Sequence, residues 1–239
     1  MENLNGLKVA ILVENGFEWV ELVEPRKALD QAGAETRIVS PRDQRVKGWK
    51  FTEWGDELPV DVALDQALAR NFDALLLPGG VMNPDALRMQ PKAVAFVKEF
   101  FDAGKPVAVI CHGPWTVIEA EAARGRRIAS WPSLKTDLRN AGAEWMDREV
   151  VVDNNLVSSR KPDDIQHSIG RCSNCSANGQ PAKRVNHGRR AIVSTIAAEA
   201  PNISSKNVHA STVPNMLFQG VILLNQQSSV GVMRYLSSN

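Results

Sequence analysis

The chemistry to look for first is a thiol standing where one apolar run ends and another begins. In Ala108-Val109-Ile110-Cys111-His112-Gly113-Pro114 a buried-strand pattern stops at Cys111 and gives way to a helix-forming stretch. Such an elbow lifts a side chain out of a sheet, and the free N–H groups and positive end of the helix dipole stabilise a thiolate. Cys111 is therefore a candidate nucleophile, expected to have a lowered pKa. A free cysteine is also among the residue types most often simply buried, and position alone does not separate the two readings. Its neighbours do. Pro78-Gly79-Gly80 closes another apolar run, and two glycines let a backbone N–H approach a substrate as an oxyanion donor. Gly113 completes that candidate substrate-binding set. Glu18 and Glu21 lie three residues apart on one face of a predicted helix. Acidic residues in a first turn commonly just offset the dipole, but a carboxyl beside Cys111 can take or return a proton. His112 follows the thiol directly, so its ring need not reach the sulfur, whereas its backbone N–H is placed as a second oxyanion donor.

Three turns must converge for this chemistry: Glu14 to Glu21, Pro78 to Asp85 and Cys111 to Pro114. The elements between them predict that they do. Lys8 to Val13 reads as a strand buried on both faces. Glu18 to Ala32 carries apolar residues at helical spacing and stops at Gly33. Thr36 to Ser40, Ala74 to Leu77 and Val107 to Ile110 continue the strand series. Lys92 to Ala103 and Trp115 to Ala123 read as helices, Arg127 to Ala129 as another strand, and Val150 to Val152 with Leu156 to Ser158 as a hairpin around Asp153-Asn154-Asn155. Alternation of strands and helices predicts an α/β doubly wound, mostly parallel sheet with its site at the carboxyl ends of the strands.

Composition changes abruptly within the chain. Residues 1–165 hold 21 Lys and Arg against 26 Asp and Glu, whereas residues 166–239 hold 7 against 1. All six Trp fall in the first segment, so the second was not expected to carry its own comparable core. Met1 to Leu7 is polar, with no secretory signal, and no apolar run has membrane-spanning length. A soluble, cytoplasmic protein with reduced thiols is expected, with no membrane partner.

The ordered set Gly16-Phe17-Glu18-Trp19-Val20-Glu21, Leu77-Pro78-Gly79-Gly80, Ile110-Cys111-His112-Gly113-Pro114, Asn140-Ala141-Gly142-Ala143, Val150-Val151-Val152-Asp153 and Ser158-Ser159-Arg160-Lys161-Pro162-Asp163-Asp164 resembles the PfpI branch of the DJ-1/PfpI superfamily over residues 6–165. The resemblance implies a flavodoxin-like three-layer α/β/α sandwich, Cys111 as catalytic nucleophile and Glu21 hydrogen-bonded to its sulfur, with Glu18 as a second candidate. It also implies a Cys111–His112 pair completed by an acid from a neighbouring subunit, a role that falls on Asp85, and hence a homo-oligomer, dimer or hexamer. Asp stands there in place of a longer Glu, in a loop one residue longer than the family pattern. The implied activity is carbonyl detoxification of glyoxalase or protein-deglycase type, on a small carbonyl substrate or a glycated protein, without cofactor or metal. The alternatives are an intracellular cysteine peptidase and a redox-sensing or chaperone-like stress protein. A glutamine amidotransferase would need a downstream His-x-Glu, and His167, His187 and His209 are followed instead by Ile169, Arg189 and Ser211.

After Ile165 the resemblance stops where relatives continue into a terminal helix. Gln166 to Cys172 can be encoded by CAG CAT TCA ATC GGA AGA TGC, and one C restored in front makes the same bases read Pro-Ala-Phe-Asn-Arg-Lys-Met, whose Pro-Ala-Phe resembles the start of that helix. Residues 166–239 are accordingly expected to be an out-of-frame, disordered tail. Cys172-Ser173-Asn174-Cys175 with His187 makes an incomplete zinc set. Lys183-Arg184 and Arg189-Arg190, without a scaffold or aromatic platform, do not amount to a nucleic-acid site.

Overall fold

The computed structural model describes residues 4–167. Strand β1 (Lys8–Leu12) is buried along all but its first residue, as an apolar run covered on both faces must be. The chain then turns through a short β2 (Phe17–Glu18) straight into helix α1 (Trp19–Gln31). Strand β3 (Glu35–Ser40) follows, then a hairpin of β4 (Arg45–Lys50) and β5 (Glu53–Pro59), and a two-residue β6 (Val62–Ala63). Strand β7 (Ala74–Leu77) is wholly buried and leads through the double glycine to α2 (Met82–Arg88) and α3 (Pro91–Asp102). Helix α3 buries Ala93, Phe96, Val97 and Phe100, the i, i+3, i+4, i+7 face that its sequence announces.

Strand β8 (Val107–Ile110) ends at Cys111, and α4 (Pro114–Glu119) starts three residues later. Beyond it come β9 (Arg127–Ile128), α5 (Lys135–Asn140), β10 (Glu144–Trp145), the hairpin β11 (Val150–Asp153) and β12 (Leu156–Ser159), and α6 (Pro162–His167). Seven strands form the central sheet in the order β11-β12-β8-β7-β1-β3-β6. All its pairings are parallel except β11 with β12. One face buries Ala10, Leu12, Leu75, Leu77 and Val109 against α3 and α4, and the other buries Val9, Ile11, Leu76, Ala108 and Ile110 with Leu22 and Leu29 of α1. This is the doubly wound α/β sandwich, and the connections out of β1 and β7 leave the sheet in opposite directions. The crevice at such a switch point lies beyond the carboxyl ends of the strands, where β1, β7 and β8 deliver their turns.

Three elements differ from expectation. The helix after Cys111 stops at Glu119 rather than Ala123, because Glu121 turns left-handed (φ 56°) while Ala120 and Ala122 N–H bond back to Thr116 and Val117 carbonyls. The strand expected over residues 127–129 forms as the shorter β9, paired with β10 in a two-stranded sheet apart from the central one. The β4–β5 hairpin, unforeseen, joins β2 in a sheet of its own. Among the described residues no helix is long and apolar enough to cross a membrane and no cluster of His, Cys, Asp and Glu could hold a metal. The tail from residue 168, with its candidate zinc and nucleic-acid residues, lies outside the described residues.

Candidate active site

Cys111 adopts φ 59°, the left-handed region that a side-chain-bearing residue enters at a cost of about 1–2 kcal/mol. The surroundings enforce it. Its N–H donates to the Ser159 carbonyl of β12 at 3.0 Å, and its own carbonyl accepts the Trp131 N–H at 2.9 Å. The strained backbone turns the thiol out of the sheet, yet Cys111 is only 7% exposed.

Glu21 reaches the sulfur from the first turn of α1 and is fully buried. Its Oε2 accepts the Gly79 N–H at 2.8 Å. A Cβ on Gly79 would stand 2.7 Å from both Glu21 Oε2 and Cys111 Cβ, so carboxyl and thiol close on each other across a residue that must lack a side chain. Gly80 (φ 78°) follows in a conformation that favours glycine. The backbone N–H groups of Gly80 and His112 both point at the sulfur. Asn83, fully buried, pins this turn: its Nδ2 donates to the Pro78 and Gly79 carbonyls at 2.8 and 3.0 Å, and its Oδ1 accepts the Glu14 N–H at 2.7 Å.

Two expectations need correcting. Gly79 was expected to offer its N–H to an oxyanion, but that N–H is taken by Glu21; Gly113 N–H likewise closes a turn onto the Ile110 carbonyl at 2.8 Å. Gly80 and His112 supply the N–H groups that face the reacting atom. The thiol was also expected to be lowered by the helix end. Burial, with the charge of Glu21 behind it, instead pushes Cys111 up, and the two backbone N–H groups only partly oppose this. A helix of six residues has little dipole to contribute. Burial pushes Glu21 up as well, to about 8, with the Gly79 N–H pulling the other way and the neighbouring Glu18 adding to the rise. Glu21 therefore holds its proton at neutral pH. Protonated, it no longer repels a thiolate and can donate to one.

Glu18, at the entry to α1, is also buried and raised by burial, against the backbone N–H groups of Phe51 and Trp19. Its Oε1 has no hydrogen-bond partner among the described residues. The His112 ring does reach the sulfur: Nδ1 lies 3.2 Å from Cys111 Sγ. Burial lowers its pKa, so the ring is neutral. Asp85 is on α2, where Arg88 holds it at 2.6 Å, and Arg88 stacks over the Trp115 ring, 4.8 Å from its centroid. The other nitrogen of His112 meets the hydroxyl of Ser133, not a carboxylate of its own chain. Sequence reasoning missed Ser133 and Asn83. Asn83 follows the double glycine by three residues, a faint signal; Ser133 has none, since only the fold brings it to His112.

The profile of the DJ-1/PfpI family matches residues 7–169. Deglycase PH1704 of Pyrococcus horikoshii is 45% identical over 159 residues, which is 66% of this chain and 93% of that protein. General stress protein 18 of Bacillus subtilis is 43% identical over 162 residues, 67% of this chain and 92% of that one. Among solved structures, a two-domain protein with DJ-1/ThiJ/PfpI-like and ferritin-like domains from Anabaena variabilis superposes with a TM-score of 0.62 at 40% identity, covering 66% of this chain and 44% of the other.

Proposed function

We infer the function from a settled premise: the chain belongs to the DJ-1/PfpI family. It is an enzyme of that family's deglycase type, in keeping with relatives that carry the names deglycase and general stress protein. Cys111 is the nucleophile, Glu21 its proton partner, Glu18 a second carboxyl feeding that partner, and the N–H groups of Gly80 and His112 the cradle for the anion. The substrate is a small carbonyl or the adduct such a carbonyl leaves on a protein.

The observation that carries this reading is the thiol enclosed between two backbone N–H groups and a carboxyl that keeps its proton to about pH 8. A thiolate there adds to the aldehyde carbon of a dicarbonyl, and the carbonyl electron pair moves onto oxygen, which takes the Glu21 proton. The Glu21 carboxylate can then remove the proton from that carbon and return it to the adjacent one while the hydroxyl proton passes from the first oxygen to the second, leaving a thioester of a 2-hydroxy acid. Water hydrolyses the thioester, releasing the acid and regenerating the thiol. No step calls on a metal or cofactor.

The 3.2 Å contact between His112 and the sulfur keeps cysteine peptidase as the second reading. Peptide cleavage must protonate an amine leaving group, however, and a buried neutral imidazole is poorly equipped for it. The test is turnover of methylglyoxal and of a methylglyoxal-modified peptide, set beside hydrolysis of the unmodified peptide. Turnover of the first two falling by at least about a thousandfold in Cys111→Ser is the expected result; cleavage of the unmodified peptide alone would replace the reading with the peptidase.

The same proposal places the protein in the cytoplasm, without nucleic-acid or membrane partners, as a homo-oligomer in which Asp85 approaches a neighbouring subunit's site. It takes 1–165 as the catalytic domain and the remaining residues as a tail read out of frame.

A further inference from the structure

The buried Cys111 sulfur is linked to the surface through His112. The ring is 8% exposed, with Nδ1 3.2 Å from the buried sulfur. Its Nε2 lies 3.2 Å from Oγ of Ser133, which is exposed on the short 3₁₀ turn Pro132–Leu134. Trp115 and Trp131 flank the ring, at centroid distances of 5.1 and 6.0 Å. The imidazole is thus held between two aromatic faces with only its two nitrogens free to bond, one to the sulfur and one to a hydroxyl in contact with water.

We propose that Ser133 is a positioning residue of this site: its hydroxyl bonds Nε2 and so holds the His112 ring with Nδ1 against Cys111, and it passes the ring's proton to solvent. The inference rests on the reading of Cys111 as the nucleophile and adds the route by which its proton leaves. The thiol proton moves from Sγ to Nδ1, the Nε2 proton moves to Ser133 Oγ, and the hydroxyl proton moves to a water or buffer base outside. The sulfur keeps the electron pair of the broken S–H bond. A carboxylate at this place would only accept, and would hold the ring as a charged imidazolium. A hydroxyl both donates and accepts, so the relay also runs backwards and can return the proton when the thiol is regenerated. Such a two-way neutral relay suits addition to a carbonyl and release by hydrolysis, and supplies no strong acid for an amine leaving group.

The charged groups that this chain itself brings near the ring all engage other partners. Glu21 and Glu18 lie on the α1 side of the sulfur, and Asp85 and Arg88 are paired with each other on α2. On α5, Asp137 accepts the Trp115 Nε1–H at 2.8 Å, Lys135 stacks on Trp145, and Arg139 lies further along. Among the described residues none of these displaces Ser133 from Nε2.

The test is the pH dependence of iodoacetamide labelling of the full-length protein, read on the Cys111 peptide by mass spectrometry so that Cys172 and Cys175 do not interfere, for wild type, Ser133→Ala and Ser133→Thr. Methylglyoxal turnover is measured on the same samples. The expected result is labelling about five- to tenfold slower at pH 7 in Ser133→Ala, with the profile displaced to higher pH, and recovery in Ser133→Thr, which keeps the hydroxyl. An unchanged profile in Ser133→Ala, or slower labelling that threonine does not restore, would overturn the relay. A displaced profile in a protein that turns over no dicarbonyl would leave the relay standing and remove the deglycase reading.

Discussion

At the scale of single residues, the most informative group is Glu21. Its carboxyl ionises near 4.5 in an ordinary setting and near 8 in this fold. Between those values the folded chain holds a proton that the unfolded chain has released, so raising the pH works against folding throughout the window and stops doing so above it. Stability measured by urea unfolding should therefore fall from pH 5 to pH 8, and Glu21→Gln should flatten that fall while preserving the bond from Gly79 N–H; a slope the same in both proteins would show that Glu21 is not protonated in the fold. Cys111, Glu18 and Glu21 could be marked as candidates in the sequence by type and local spacing, and the resemblance to the family, rather than spacing, set Glu21 ahead of Glu18. The direction of their titration could not be read there, because burial decides it and burial belongs to the assembled pocket. The role given to Gly79 failed for a related reason: an N–H looks free in a sequence until a carboxyl from 58 residues away takes it.

At the scale of elements, the site depends on a segment that makes no strand of the main sheet. β9 and the turn after it carry Trp131 and Ser133 to His112, and three hydrogen bonds anchor the part nearest the site. Ala129 N–H donates to the buried Ser158 Oγ at 2.9 Å, Trp145 Nε1–H donates to Ser130 Oγ at 3.0 Å, and Trp131 N–H donates to Cys111 O. Ser158→Ala leaves the Ala129 donor buried without an acceptor and should cost roughly 1–3 kcal/mol. It should also slow labelling of Cys111 by loosening Ser133, measurable by unfolding and labelling side by side; full stability with unaltered labelling would show that this tie does not position the segment. The continuous apolar runs of β1, β7 and β8 and the apolar face of α3 were legible because hydrophobic patterning reports burial. The β4–β5 hairpin was not: Glu53-Trp54-Gly55-Asp56-Glu57-Leu58-Pro59 is charged and broken by Gly and Pro, and it forms a strand because β4 offers a partner rather than by propensity. Helix α2 hid similarly behind Pro84.

For the whole molecule, the change of composition after Ile165 was plain in the sequence. Restoring one C before the Gln166 codon should give a protein that melts at higher temperature, since the encoded amphipathic helix adds burial at roughly 25 cal/mol per Å², and one that assembles more fully by light scattering. Equal melting and equal assembly in the two proteins, or an in-frame junction shared by independent isolates, would establish residues 166–239 as a genuine extension. The left-handed backbone at Cys111 bears on evolution as much as on catalysis. A glycine there would relieve the twist, so random drift under selection for folding alone would tend to erase the thiol. Variants screened only for robustness would therefore be drawn toward losing that side chain first.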